Sequence, residues 1–353
     1  MTKTSDHESK MIEKWKATLA NPPKSYVSLG PKIPPSFTLV SKAGSGVAAD
    51  AFFCLPRDAV TDEETPEPDQ APAKASRLMG KLQVVKLFAR PEPMVMGKEI
   101  AILDAIKVQR PEHESTHPFF EVTAFDPAGY WYATSTLPMC CELGAMKGSF
   151  KYLPEEFMWL VFLQIRKALG FLHEKCDPPI AHADLHMGNV LICFSGPTDQ
   201  GMPKIKLIDF GFSVHVPASR RDQFLPIKDD VHGLLKIMDC IIHDYGEWNR
   251  DSCEMYLRCG APEARSSTFH SFHKAVNDNL VVGDRICSLS NLSQQFGRYA
   301  ARKATSIPDA NVAQIRDAVR KATYPRFQSM EKTIQKLLNP PAPEDIQTPS
   351  SKV

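Results

Sequence analysis

Two short segments hold most of the side chains that could do chemistry. HADLHMGNVLI at 182–192 sets His182, Asp184, His186 and Asn189 close together, and IKLIDFGFS at 205–213 leads an apolar strand into Asp209. Asp and Asn offer oxygen atoms to hard cations, and a positioned carboxylate can take a proton from a hydroxyl. Zinc binding by His182 and His186, four positions apart, is a rival use of the same residues. It is disfavoured because no Glu stands in the required place between them, the segment lacks helical character and no third ligand is evident. Upstream lie Gly44-Ser45-Gly46, Lys86 in the strand-like run QVVKLF at 83–88, and Glu99 in GKEIAILDAI. Taken singly, the glycines read as a hairpin turn and Lys86 as a solvent-facing lysine on an edge strand. Their order along the chain argues for more.

The pair of segments resembles the catalytic loop and the metal-binding loop of the protein-kinase-like superfamily, whose patterns are H-R-D-L-x-x-x-N and D-F-G. Asp184 stands two after His182, Asn189 five after Asp184, and Asp209 opens Asp-Phe-Gly. The resemblance implies an ATP- and Mg²⁺-dependent phosphotransferase of bilobal α+β fold, with a β-rich N-lobe and a mainly helical C-lobe. Phosphoryl transfer needs positioning and charge neutralisation more than covalent help. By resemblance Asp184 is the base facing the acceptor hydroxyl, Asn189 and Asp209 hold the metal, and His182 and Phe210 pack the loops in place. Gly44-Ser45-Gly46-Val47-Ala48-Ala49-Asp50-Ala51 resembles the Gly-rich loop that covers nucleotide phosphates, with Ala49 at its third glycine. Lys86 matches the phosphate-pairing lysine, Glu99 is the expected carboxylate partner of Lys86, and Glu92 between two prolines is the weaker choice. Leu137 to Leu143 falls at the connector between lobes, so the backbone of Met139 and Cys140 is expected to bind the adenine edge.

The pattern departs from the family in three places. Ala183 replaces the Arg that receives an activation-loop phosphate, so switching by that route is not expected. His186 stands where serine/threonine kinases usually have Lys; Asp-Leu-His-x-Gly-Asn resembles aminoglycoside phosphotransferases and fungal-type protein kinases, and a neutral imidazole still donates one hydrogen bond to phosphate. Asp230-Val231-His232-Gly233 resembles the helix whose buried Asp braces the catalytic loop, leaving 18 residues from Phe212 to Asp229. Ala261-Pro262-Glu263 follows that helix instead of preceding it, and reads as a chance match to A-P-E. The acceptor expected first is a protein Ser or Thr hydroxyl. A small-molecule hydroxyl is the alternative that His186 and the short segment favour, and a partner-binding pseudokinase is a third reading.

The elements that must position these residues follow from periodicity. Phe37 to Leu55 reads as a strand, a Gly turn and a strand; Met94 to Val108 is helix-like, with Ile100, Leu103 and Ile106 on one face; Phe119 to Leu137 holds two strands around Pro127-Ala128-Gly129. Pro154-Glu155-Glu156 starts a helix, and helical patterns cover about 229–245, 264–280, 284–304 and 309–338. These give an N-lobe at 37–137 with a mobile insertion at 56–77, and a C-lobe at 138–338. A largely disordered leader at 1–36, with one short helix candidate at Ile12 to Leu19, and a polar tail at 339–353 complete the chain.

Composition narrows the function classes. Lys and Arg number 42 against 41 for Asp and Glu, so no global charge steers the chain to nucleic acid or an anionic membrane. Thirteen of the 29 prolines fall in 22–35, 56–72 and 340–349, outside the expected catalytic core. Nine cysteines at 54, 140, 141, 176, 193, 240, 253, 259 and 287 show no Cys-x-x-Cys spacing and lie in apolar stretches, a pattern of reduced, buried thiols. No apolar run approaches the ~18 residues of a spanning helix and no signal-peptide pattern opens the chain. The expectation is a soluble cytosolic or nuclear protein whose partners are ATP and a hydroxyl acceptor.

Overall fold

The computed structural model describes residues 33–46, 49–61, 70–88, 93–109, 118–147, 149–150, 153–196, 199–217, 225–242, 265–281 and 288–338. Alternating short runs of β-branched and aromatic residues build a five-stranded antiparallel sheet from β1 (Phe37–Ser45), β2 (Ala49–Pro56), β3 (Gln83–Phe88), β4 (Val122–Phe125) and β5 (Trp131–Ser135), in the order β1-β2-β3-β5-β4. One sheet face closes a small cluster of Phe37, Phe52, Cys54, Val85 and Ala133, while Phe53, Leu55 and Tyr132 join the main core. The long helix of this lobe (Pro93–Val108) buries Ile100, Leu103 and Ile106, the face its spacing predicts.

Residues 56–77, expected to be a mobile insertion, are not free of structure. Helix α1 (Arg57–Thr61) follows β2 directly, and helix α2 (Ala71–Met79) buries Ala71, Ala75, Leu78 and Met79. The expected boundary at 77 falls one residue short of Leu78 and Met79, and small alanines give the segment too little apolar contrast to show its buried face. Residues 62–69 of that segment, the helix candidate at Ile12 to Leu19, Glu92 and the tail lie outside the described residues.

With the helix at Pro93–Val108 as α3, the second lobe holds α4 (Leu143–Lys147), α5 (Glu155–Gly170), α6 (Leu225–Ile242), α7 (Ser267–Val281), α8 (Leu289–Thr305) and α9 (Asp309–Leu338). Helix α5 is apolar on most sides and buries ten residues from Phe157 to Leu169, as a central helix must. Trp159 on α5 sits among Phe162, Phe269, Phe272, Phe296 and Tyr299, with ring centroids 4.8 to 6.4 Å away. Glu155 opens α5, accepts from the Trp159 indole N–H at 3.0 Å, and ties α5 to the start of α7 through the Ser266 hydroxyl at 2.6 Å and backbone N–H at 2.9 Å. Burial alone would raise the pKa of that carboxyl, but the Ser266 and Trp159 hydrogen bonds and nearby Lys303 hold it below the ordinary glutamate value.

Three strands, β6 (Met139–Glu142), β8 (Val190–Phe194) and β9 (Lys204–Leu207), form a sheet in the order β6-β8-β9, and β7 (Ile180–Ala181) pairs with β10 (Val214–His215). Helix α9, about 45 Å long at 1.5 Å per residue, packs against α2 and β1 of the first lobe and against β6, α4 and β8 of the second. Arg326 on α9 makes that bridge concrete: its Nη2 donates to the Cys140 carbonyl at 2.8 Å while its guanidinium lies 5.0 Å from the centre of the Phe53 ring on β2. The cysteines also depart from expectation. Cys54, Cys141, Cys176 and Cys240 are free, but Cys140 and Cys193 are joined by a disulfide, because β6 and β8 set them directly opposite each other.

Candidate active site

The catalytic-loop segment hangs from two supports. Its backbone leaves β7, which is pinned to β10, and turns at Ala183 with φ of 63°, a left-handed conformation that a residue with a Cβ avoids unless neighbours enforce it. The buried carboxylate of Asp230 on α6 enforces it: Oδ2 accepts from the His182 N–H at 2.8 Å and Oδ1 from the Ala183 N–H at 2.7 Å. His173 donates its Nε2 hydrogen to Asp230 Oδ2 at 2.8 Å, so three donors satisfy this carboxylate. Helix α6 comes so close that a Cβ placed on Gly233 would stand 2.5 Å from the Leu185 carbonyl oxygen. That contact explains a glycine in mid-helix, where its weak propensity is a handicap.

The imidazole of His182 is fully buried, and Nε2 reaches the Ile208 carbonyl at 3.0 Å. A carbonyl only accepts, so the proton sits on Nε2, and Nδ1 is left buried without a partner. Burial holds the pKa of this histidine below its ordinary value, despite the carboxylates of Asp230, Asp184 and Asp209. Phe210 packs 4.8 Å from the His182 ring and 5.5 Å, edge-on, from Phe119. The two loops are thereby held together by packing, as the resemblance implies for these two residues.

Asp184, Asn189 and Asp209 converge on this frame. Asn189 donates its Nδ2 hydrogens to the Asp184 backbone carbonyl at 2.9 Å and to Asp184 Oδ2 at 3.1 Å, which leaves the amide oxygen of Asn189 as an acceptor. Asp209 has φ of 64° and directs Oδ1 to Lys86 Nζ at 3.0 Å. Lys86 also meets Glu99 Oε2 at 3.0 Å and Oε1 at 3.2 Å, so one ammonium on β3 joins a carboxylate on α3 to one in the second lobe. Burial alone would lower the Lys86 pKa; the charges of Glu99 and Asp209 outweigh it and raise the value above that of free lysine. The ammonium is therefore retained at neutral pH.

His186 stands at the edge of the site, more than half exposed, with Nδ1 accepting from the Gly188 N–H at 3.1 Å. When neutral it carries its proton on Nε2, which is 3.7 Å from Asp184 Oδ2, too long for a hydrogen bond and open to a third group. Gly44 and Ser45 end β1, the Gly46 N–H donates to the Ala49 carbonyl at 2.8 Å, and Ala49 begins β2, so the glycine segment is the turn between the first two strands. Val47 and Ala48 lie outside the described residues.

Met139 and Cys140 do not form a free connector. They are in β6, Met139 is fully buried opposite Phe194, and the Cys140 carbonyl accepts from Arg326.

Two contributors were not legible in the motifs. Tyr132 on β5 stands in register with Lys86, its hydroxyl within reach of Glu99, and burial together with Glu99 and Asp209 raises its pKa far above that of free tyrosine. The signal for it was the strand register, which puts residues opposite Lys86 on the same sheet face. His173 supports Asp230 from the π-helical turn at Phe171–Lys175, a contact across 57 positions that no local pattern announces.

Asn189 and Asp209 together offer hard oxygens, while among the described residues there is no group of three or more His, Cys, Asp or Glu side chains that could hold a metal alone. That donor set fits Mg²⁺, which is commonly held by one or two protein side chains plus substrate phosphates. No helix among the described residues is long and apolar enough to cross a membrane.

No known family model matches the sequence, and no curated protein matches it. Among solved structures the chain is similar to one described as the crystal structure of the BubR1 kinase domain, with a TM-score of 0.52, 15% identity, and coverage of 90% of this chain and 96% of that one. At that identity the likeness bears on architecture alone, and with the two-lobed arrangement around Lys86 and Asp209 it means that this chain has a protein-kinase-like fold.

Proposed function

We propose that the protein is an ATP- and Mg²⁺-dependent phosphotransferase that moves the γ-phosphoryl group of ATP to a hydroxyl. The observation that carries this reading is the position of Lys86, 3.0 Å from both Glu99 and Asp209, together with the Asn189–Asp184 hydrogen bond in the preceding loop. In protein kinases the lysine–glutamate pair and the metal-binding aspartate must both be in place for transfer, and here the Lys86–Glu99 pair is formed with Asp209 against it. Lys86 neutralises phosphate charge from the first lobe. Asn189 and Asp209 would hold Mg²⁺, which would supply positive charge to offset that of the phosphates. Asp184 orients the acceptor hydroxyl and takes its proton as the new P–O bond forms, and Nε2 of His186 offers a hydrogen bond to a phosphate oxygen. The backbone around Gly44 and Gly46 covers the phosphates, and the backbone from Leu137 through Met139 and Cys140, which leads into and along β6, meets the adenine edge.

The acceptor follows less directly. A protein Ser or Thr hydroxyl is the first reading, by resemblance. One observation favours a small-molecule hydroxyl: helix α6 begins at Leu225, so only the thirteen residues from 212 to 224 separate Gly211 from it, a short platform for a peptide. Transfer of labelled phosphate from ATP onto a protein extract, run beside a panel of small hydroxyl compounds, decides between them. Label on neither, with no ATP-induced rise in melting temperature in the presence of Mg²⁺, refutes phosphotransfer and leaves a partner-binding role.

A further inference from the structure

We infer that Cys140 and Cys193 form a reversible dithiol–disulfide site, which when closed locks the end of the inter-lobe connector to the strand that leaves the catalytic loop. The pair stands in register on antiparallel β6 and β8, Cα atoms 4.2 Å apart, and is bonded in this structure although 53 positions separate the two in sequence. Facing side chains on paired strands are direct neighbours, which brings the two sulfurs together. The other described cysteines, 54, 141, 176 and 240, remain free thiols. One bonded pair among free thiols is unlike the disulfide framework of a small secreted domain, where bridges replace a core; this chain has a large core already.

The strand register explains why this pair is the bonded one among the described cysteines. Cys141 is adjacent in sequence but points to the opposite face of β6, away from Cys193. Burial pushes the thiols of Cys54 and Cys141 up to about 12 and that of Cys176 up to about 11, and Cys140 and Cys193 are buried as well, so strand register and not exposure sets the pair apart. Closing the bond consumes a hydroperoxide: two S–H bonds break, one S–S bond forms, the sulfurs give up two electrons, and the O–O bond is reduced to an alcohol and water. A dithiol reductant reverses it by exchange. The site lies where it can be felt. Strand β8 begins at Val190, next to Asn189, and the carbonyl of Cys140 is the one that Arg326 of α9 holds while it also covers Phe53. The inference does not depend on phosphotransfer, and its test reads thiols directly.

The full chain is incubated under native conditions with hydrogen peroxide or with dithiothreitol, then denatured in iodoacetamide and mapped by mass spectrometry. The expected result is a peroxide-dependent loss of two alkylation sites, Cys140 and Cys193, with their peptides joined, and full recovery after dithiothreitol. Cys193→Ala should leave Cys140 without its disulfide partner, and Cys141→Ala should leave the two-site difference intact. If either variant fails to fold, the wild-type map still decides. Alkylation of both residues after peroxide, a bond that survives native dithiothreitol, or loss at other cysteines would each overturn the inference.

Discussion

Helix α6 approaches the loop of Asp184 closely at Gly233, and Gly233→Ala tests that approach with a sign. Helix propensity alone says that Ala in place of Gly at mid-helix stabilises by about 1 kcal/mol. The structure says the opposite. An added Cβ would stand 2.5 Å from the Leu185 carbonyl oxygen, 3.0 Å from Leu185 Cβ and 3.3 Å from its carbonyl carbon, mostly backbone that cannot rotate away. Overpacking of this kind costs about 1–3 kcal/mol and sometimes more. The cost belongs at the upper end here, because the loop is fixed on its other side by Asp230 and by the turn at Ala183. The net expectation is destabilisation of about 1–2 kcal/mol after subtracting the propensity gain. Leu185 lies between Asp184 and His186, so relief of the clash displaces the proposed base, and a shift of ~1 Å can cost ~10²-fold in rate. Urea unfolding with a shared slope, together with ATP turnover, measures both effects. A variant about 1 kcal/mol more stable than wild type, with turnover unchanged, would refute the reasoning.

Two further outcomes follow from the site. Asp209→Ala should abolish the magnesium dependence of ATP binding in a calorimetric titration, since Asn189 would be the one remaining side-chain ligand in the proposed pair; full magnesium-dependent affinity would remove Asp209 from the metal site. Stability should fall as pH drops below about 6.5, because unfolded His182 binds a proton there that the buried native imidazole refuses. Unfolding then takes up a proton, so the unfolding free energy declines with falling pH by up to about 1.4 kcal/mol per pH unit until the lower native pKa is reached. His182→Asn should flatten that slope relative to wild type in urea melts across this range, and an unchanged slope would count against the assignment.

The candidate site was legible in the sequence because the residues proposed for phosphoryl transfer sit in contiguous motifs. Asp184 with Asn189, and Asp209 with Phe210, are local patterns, and the structure brings them together. The helix at Glu155–Gly170 and the long one at Asp309–Leu338 were legible through their starts and periodicity. What stayed hidden depends on register or long-range contact. Tyr132 opposes Lys86, and Cys140 opposes Cys193, only once the strands are aligned. Arg326 meets the Cys140 carbonyl across 186 positions, a contact that exists because α9 returns to span both lobes. Helix α2 was missed because its buried face is built from two alanines, Leu78 and Met79.

The central claim is phosphoryl transfer driven from Asp184 on a frame set by Lys86, Glu99, Asn189 and Asp209. ADP formation from ATP and Mg²⁺, with an acceptor mixture present, tests it most directly when wild type is compared with Asp184→Ala. The account predicts turnover by wild type and a fall of about 10²–10⁴-fold in the variant, with nucleotide binding retained. Equal turnover by the two proteins, or none by wild type, would contradict it.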